Sequence, residues 1–121
     1  MRQPSTPRHS PASEPQLKRF AFVLLDSFSM LSFASAVECL RIANRMVGRE
    51  VYKWTLLSEG GGTVSCSAGT SFQVDEDLIE LQRDDTILVC AGIAVQDATT
   101  KRLLSWLRRE ARKGLVVGGL C

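Results

Sequence analysis

Apolar residues fall along this chain in short continuous runs separated by stretches of helical period. Phe20-Ala21-Phe22-Val23-Leu24-Leu25 is apolar at every position, the pattern of a strand buried on both faces in a parallel sheet. Asp26 to Ser29 turns the chain. From Met30 to Val47 the spacing predicts a helix whose polar stripe is Glu38, Arg41 and Arg45. Leu31, Phe33, Ala34, Val37, Leu40, Ile42, Ala43 and Met46 fill the rest, so this helix needs a second cover besides the sheet. Gly48 is placed to stop it. Val51 to Ser58, with Val51, Tyr52, Trp54 and Thr55, predicts a second strand. Gly60-Gly61-Gly62 reads as a hairpin turn into Thr63–Ser67, and Phe72-Gln73-Val74 as a further short strand. Thr86 to Cys90 is another buried strand, broken at Ala91-Gly92-Ile93. Asp97 is the expected N-cap of a helix running to Lys113 and burying Leu103, Leu104, Leu107 and Ala111, with Gly114 ending it. A last apolar run, Leu115-Val116-Val117, passes through Gly118-Gly119 to Leu120-Cys121. Alternating strands and helices predict an α/β fold with a mostly parallel, three-layer sheet.

Residues 1–16 break that pattern. They hold all four prolines among serines, threonines and scattered charge, and are expected to form a disordered tail ahead of a globular part from residue 17 to 121. No apolar h-region precedes the first strand, and Phe20 to Leu25 is too short to span a bilayer, so the cytoplasm is the expected compartment. A formal net charge of +2 gives no electrostatic case for nucleic-acid binding by these 121 residues. The basic run Lys101, Arg102, Arg108, Arg109, Arg112 and Lys113 reads as a solvated helix face. Gly60-Gly61-Gly62 lacks the Gly-Lys-Ser/Thr ending of a phosphate loop.

Cysteines sit at 39, 66, 90 and 121 with no paired spacing, and His9 is the single histidine. That pattern excludes the usual zinc sites and a Cys-His dyad within the globular part, and neither metal nor cofactor is expected. Cys39 and Cys90 lie in apolar runs and read as core fillers; Cys66 fits no pattern. Cys121 is different. An apolar strand leads through two glycines to this thiol, the layout of a nucleophile elbow, and ligand sites in open α/β sheets lie beyond strand C-termini. An elbow is followed by a helix, so the chain is expected to be part of a longer domain, truncated at its elbow strand.

The stretch Phe28-Ser29-Met30-Leu31-Ser32-Phe33-Ala34-Ser35-Ala36-Val37-Glu38-Cys39-Leu40-Arg41-Ile42-Ala43-Asn44-Arg45 carries a resemblance. With it go Leu56-Leu57-Ser58-Glu59, Ser67-Ala68-Gly69, Val89-Cys90-Ala91-Gly92 and Gly119-Leu120-Cys121. Together they resemble the DJ-1/PfpI-like (class I glutamine amidotransferase-like) domain at the N-terminus of GlxA-type AraC-family transcriptional regulators. The branch that senses arginine or quaternary amines such as carnitine and betaine is the most similar.

The resemblance implies a flavodoxin-like sheet and a small-molecule effector bound by Phe28, Ser29, Ser32, Gly92, Ile93 and Cys121. It also implies a homodimer, and DNA binding through a C-terminal helix-turn-helix domain outside these residues. Enzymes of the wider superfamily carry an acidic residue in the first strand–helix loop beside the elbow cysteine; the matching position here is Ser32. The expected function is therefore sensing rather than catalysis. The alternative is a cysteine-dependent hydrolase, hydratase or glyoxalase of the DJ-1/PfpI type using Cys121. A third reading is an interaction or redox module built on the apolar first helix.

Overall fold

The computed structural model describes residues 17–121; the tail expected over residues 1–16 lies outside the described residues. Strand β1 (Lys18–Leu24) is followed by helix α1 (Met30–Val47), β2 (Tyr52–Leu57), a small hairpin β3 (Thr63–Ser65) and β4 (Ser71–Gln73), and β5 (Thr86–Cys90). A single turn α2 (Val95–Ala98), helix α3 (Lys101–Ala111) and β6 (Val116–Leu120) complete the order. The four long strands form one parallel sheet in the order β2-β1-β5-β6.

The expected α/β architecture follows from β1, whose residues alternate between two cores. Ala21, Val23 and Leu25 point to the layer shared with Ile87, Leu103, Trp106 and Leu115. Phe22 and Leu24 point to the other, with Phe28, Phe33, Cys66, Val74 and Cys90. Helix α1 covers the second face through Phe33, Ala36, Val37 and Leu40, and α3 covers the first. Phe33 stands edge-on to Phe22, Phe28 and Phe72 at centroid separations of 5.4–5.9 Å, a geometry aromatic quadrupoles favour.

Ser29 caps α1, its hydroxyl accepting from the Ser32 amide at 3.4 Å, and Gly48 closes the helix in the left-handed region (φ 87°), as its position predicts. Asn44 then ties α1 to β2 by accepting from the Val51 and Tyr52 amides and donating to the Tyr52 carbonyl, each at 2.9 Å.

Several expectations are corrected. Asp97 lies inside α2 and caps nothing; extended Thr99 breaks the chain and Thr100 caps α3, its hydroxyl accepting from Leu103 N at 3.1 Å. The buried stripe of α3 is Leu103, Trp106 and Glu110, while Leu104 and Ala111 are exposed. The indole nitrogen of Trp106 reaches the Ile79 carbonyl at 2.8 Å, which lets a large amphipathic ring replace the smaller residues expected there. Gly60-Gly61-Gly62 makes no hairpin, since it joins β2 to β3 in different sheets; all three glycines have positive φ, and the hairpin turn is formed by residues 66–70. Cys39 is exposed on α1 rather than buried, because it lies on the helix face turned from the sheet. Cys66 and Cys90 are buried, and burial pushes the Cys90 thiol up to about 12.

A second fastening holds the chain segment before β5 along α3. Arg102 pairs with Asp77, Trp106 with the Ile79 carbonyl, and Lys113 with Glu80 and the Leu81 carbonyl. Glu110, fully buried, accepts from the Leu81 amide and from Lys113, both at 2.9 Å. Burial alone would raise its carboxyl, but the Leu81 amide, Lys113 and Arg109 outweigh burial and hold it below the ordinary value. A depressed carboxyl contributes stability above its unfolded pKa and loses it as pH falls through the folded one. Glu110→Gln is expected to lower unfolding free energy at pH 7 by about 1.5–3 kcal/mol. The difference from wild type should shrink as pH drops below the carboxylate range, measured by urea unfolding at pH 7 and pH 3.5; equal stabilities at pH 7 would refute it.

Candidate functional site

The C-terminal ends of β1, β5 and β6 lie side by side, and the loops that leave them are bonded mainly through backbone. Leu25 N donates to the Cys90 carbonyl (3.0 Å), Ala91 N to the Leu120 carbonyl (2.9 Å) and Ser29 N to the Ala91 carbonyl (3.0 Å). On the hairpin side Ser27 N donates to the Ser65 carbonyl (2.8 Å) and Ser67 N to the Phe28 carbonyl (2.9 Å). Two local features make this possible. Ser27 takes a left-handed conformation, φ 64°, unusual for a residue with a side chain. Gly92 packs so closely that a Cβ there would fall 2.1 Å from the Ser27 carbonyl oxygen.

The structure brings Ser29, Ser32, Gly92 and Cys121 of the predicted site together. Ser32 Oγ donates to the Cys121 carbonyl at 2.8 Å, and the two serine hydroxyls lie 3.2 Å apart. Ser32 thus stands against the main chain of Cys121. Phe28 is near rather than in the site: its ring is fully buried against Phe33 and Phe72, and only its backbone borders the loop. Ile93, 91% exposed, stands clear of the cluster.

On the opposite side of the first loop is a cavity of about 370 Å³, bordered by Leu25, Asp26, Ser58, Glu59, Ser65 and Thr100 among others. Its location at the ends of β1 and β2 obeys the same strand-end rule that singled out Cys121. Ser58 and Glu59 lie in a run that carries the resemblance, and Asp26 opens the turn after β1. Glu59 Oε1 accepts from Thr100 Oγ1 at 2.6 Å, a contact between distant segments that no sequence spacing reveals. Among the described residues no group of three or more His, Cys, Asp or Glu side chains is arranged to hold a metal ion.

A four-stranded parallel sheet with helices on both faces is an α/β fold that solved structures share. The DJ-1 superfamily protein Atu0886 from Agrobacterium tumefaciens has the same fold (TM-score 0.64, 20% identity, 85% of this chain and 53% of that one). An AraC family transcriptional regulator from Pseudomonas putida superposes with a TM-score of 0.72 at 28% identity over 84% of this chain and 63% of that one. In sequence the chain is similar to part of several HTH-type transcriptional regulators, GlxA among them. It is 36% identical to GbdR of Pseudomonas aeruginosa (strain UCBPP-PA14) over 116 residues, 93% of this chain and 32% of that protein. It is 43% identical to CdhR of P. aeruginosa (strain PAO1) over 101 residues, 84% and 30% of the two chains. With GlxA of Rhizobium meliloti (strain 1021) it shares 39% over 105 residues, 86% and 32%. The chain thus spans about a third of the length of these relatives. No family model matches it.

The close approach at Gly92 gives a direct test of how the loops are held. Gly92→Ala must displace the Ser27 peptide, and overpacking against backbone is expected to cost about 1–3 kcal/mol. Gly118→Ala, whose Cβ meets only the movable Leu88 Cδ2 at 3.1 Å, should cost less. Thermal melts of the two variants side by side check the ranking; the reverse order would refute it.

Proposed function

We propose that this chain is the effector-sensing domain of a transcriptional regulator whose DNA-binding helix-turn-helix lies in another part of the full-length protein. The observation that carries this reading is the 36–43% identity to three HTH-type transcriptional regulators. The effector is a small amine-bearing metabolite, an amino acid or quaternary amine of the arginine, carnitine or betaine kind. Ser29, Ser32, Gly92 and Cys121 form one wall of its strand-end site, with Phe28 behind and Ile93 at the rim. The cavity beyond the first loop, bordered by Asp26 and Glu59, favours a cation over an anion.

Sensing rather than catalysis is supported by the residue at position 32, a serine where the resemblance implies an acid in the enzymes. A thiol becomes a strong nucleophile beside a base, a cation or a helix terminus, and a serine hydroxyl supplies no base. Among the described residues no helix is long and apolar enough to cross a membrane, which suits a cytoplasmic regulator.

Regulators of this kind act as homodimers on our reading, and α1 offers the surface. Only Phe33 of this helix is fully buried, whereas Leu31 (78% exposed), Ile42 and Met46 (82% exposed) form an outward apolar strip. Glu38 and Arg41 are paired with each other at 2.8 Å beside it. Effector binding would bias the dimer arrangement and through it the DNA-binding domain.

In the full-length protein, Cys121→Ser is expected to preserve effector-dependent reporter output, with at most a modest loss of effector sensitivity from altered packing. The check is a reporter dose–response for arginine, carnitine and betaine, run beside turnover assays on dicarbonyl and isonitrile substrates. Turnover that disappears with the substitution would replace the sensor by the enzyme. Separately, Ile42→Glu should convert dimer to monomer in analytical ultracentrifugation while leaving the melting temperature within a few degrees; an unchanged dimer would move the interface elsewhere.

A further inference from the structure

Helix α3 and its last turn sort their charges between two sides. Six of the thirteen residues 101–113 are lysine or arginine, and the only acid among them, Glu110, is fully buried and bonded to Lys113 and the Leu81 amide. Three of the six cations meet carboxylates: Arg102 pairs with Asp77 at 2.9 Å, Lys113 with Glu80 at 3.2 Å and Arg109 with Glu110 at 3.6 Å. Glu59, bonded to the Thr100 hydroxyl, adds its charge on the Arg102 flank.

Lys101, Arg108 and Arg112 are the other three. All are exposed, and among the described residues none has a carboxylate within ion-pair distance. They stand at i, i+7 and i+11, with Ser105 at i+4, and that spacing aligns them on the face opposite the buried Leu103, Trp106 and Glu110. At 1.5 Å per residue the row is about 16 Å long. Helix energetics explains only part of it. Arg108 in the last turn and Arg112 just after it suit the helix dipole, whereas Lys101 in the first turn opposes it, and that turn holds no acid to compensate. An anionic partner laid along the row accounts for all three. The chain's net charge of +2 averages this one-sided face away.

We infer that the Lys101–Arg108–Arg112 row lies along the phosphate backbone of the DNA occupied by the full-length protein, outside the base pairs read by its helix-turn-helix. The inference rests on the regulator reading above and adds a DNA contact made from the sensing domain itself. Duplex DNA is the favoured polyanion because the relatives are HTH-type regulators, which brings its dense phosphate charge beside this domain. Exposed cations in a straight row, with no carboxylate among them, suit phosphates better than base edges. They add affinity and fix orientation without sequence preference.

The test is binding of the full-length protein to random-sequence duplexes of about 60 and about 20 base pairs, followed by fluorescence anisotropy between about 50 and 300 mM potassium chloride. On the long duplex the triple variant Lys101→Gln, Arg108→Gln, Arg112→Gln should lower the slope of log affinity against log salt by about two to three. Affinity there should fall by about tenfold or more at low salt. On the short duplex, too short to extend past the helix-turn-helix, the variant should match wild type. Lys101→Gln alone removes a charge that opposes the dipole, so it leaves α3 intact, and should lower the long-duplex slope by about one. A control, Lys18→Gln, Arg49→Gln, Lys53→Gln, removes the same charge from exposed positions near the starts of β1 and β2 and should match wild type on both duplexes. An unchanged slope, an equal loss on both lengths, or an equal loss in the control would each overturn the inference. So would unchanged DNA binding with reduced reporter output, which would assign the row to an acidic protein partner. Wild type that binds neither duplex would bring down the regulator reading as well, so the two failures are told apart.

Discussion

The whole domain depends on β1 being buried on both of its faces. Five consecutive residues, Ala21 to Leu25, are nearly inaccessible to solvent, and their side chains go alternately to two separate cores. Full burial of each larger apolar side chain contributes about 1.5–3 kcal/mol, and β5 beside it divides its residues in the same way, Ile87 to one layer and Cys90 to the other. Pairing β1 with β2 on one side and β5 on the other follows from that constraint, since a strand apolar on both faces must be central. The strand-end site is a by-product of the same geometry. Parallel strands deliver their C-termini to one edge, so the loops after β1 and β5 and the end of β6 meet without any further device.

What keeps that meeting point open to chemistry is that backbone groups do most of the holding. The loops are bonded by main-chain donors and acceptors, through the tight Gly92–Ser27 approach. Side chains are then left to vary with function. Ser32 is such a position: its hydroxyl reaches the Cys121 main-chain oxygen from the first turn of α1.

Much of this was legible in the sequence because period and punctuation agree with the fold. Phe20 to Leu25 and Thr86 to Cys90 announce buried strands, and α1 begins and ends at Met30 and Val47, where Ser29 and Gly48 place it. The failures have a common cause: they concern residues whose partners are remote in sequence. Asp97 is a good cap by local chemistry, but Thr100 has a carboxylate waiting 41 residues away. Trp106 and Glu110 escape a local reading because neither a large ring with a donor nor an acid reads as core. Both are buried because the Ile79 carbonyl and the Leu81 amide satisfy them. Cys39 misled in the opposite sense, as an apolar neighbourhood in sequence is no guarantee of the inward face of a helix. At the site, Ser29, Ser32, Gly92 and Cys121 could be grouped by the strand-end rule and the resemblance, whereas the Asp26–Glu59 cavity needed the relative placement of β1, β2 and α3.

The two helices also divide labour by chemistry. Helix α1 meets the sheet mainly through aromatic and aliphatic packing, with Asn44 bonded to β2 near its end, and leaves an apolar strip outside. Helix α3 meets the segment before β5 through a ladder of directional polar contacts at Asp77, Ile79, Glu80 and Leu81. Apolar packing is non-directional and tolerates small slides, which suits a surface that must fit a partner. A hydrogen-bonded ladder has defined on and off states, and removing one bond at its end changes the balance of the next.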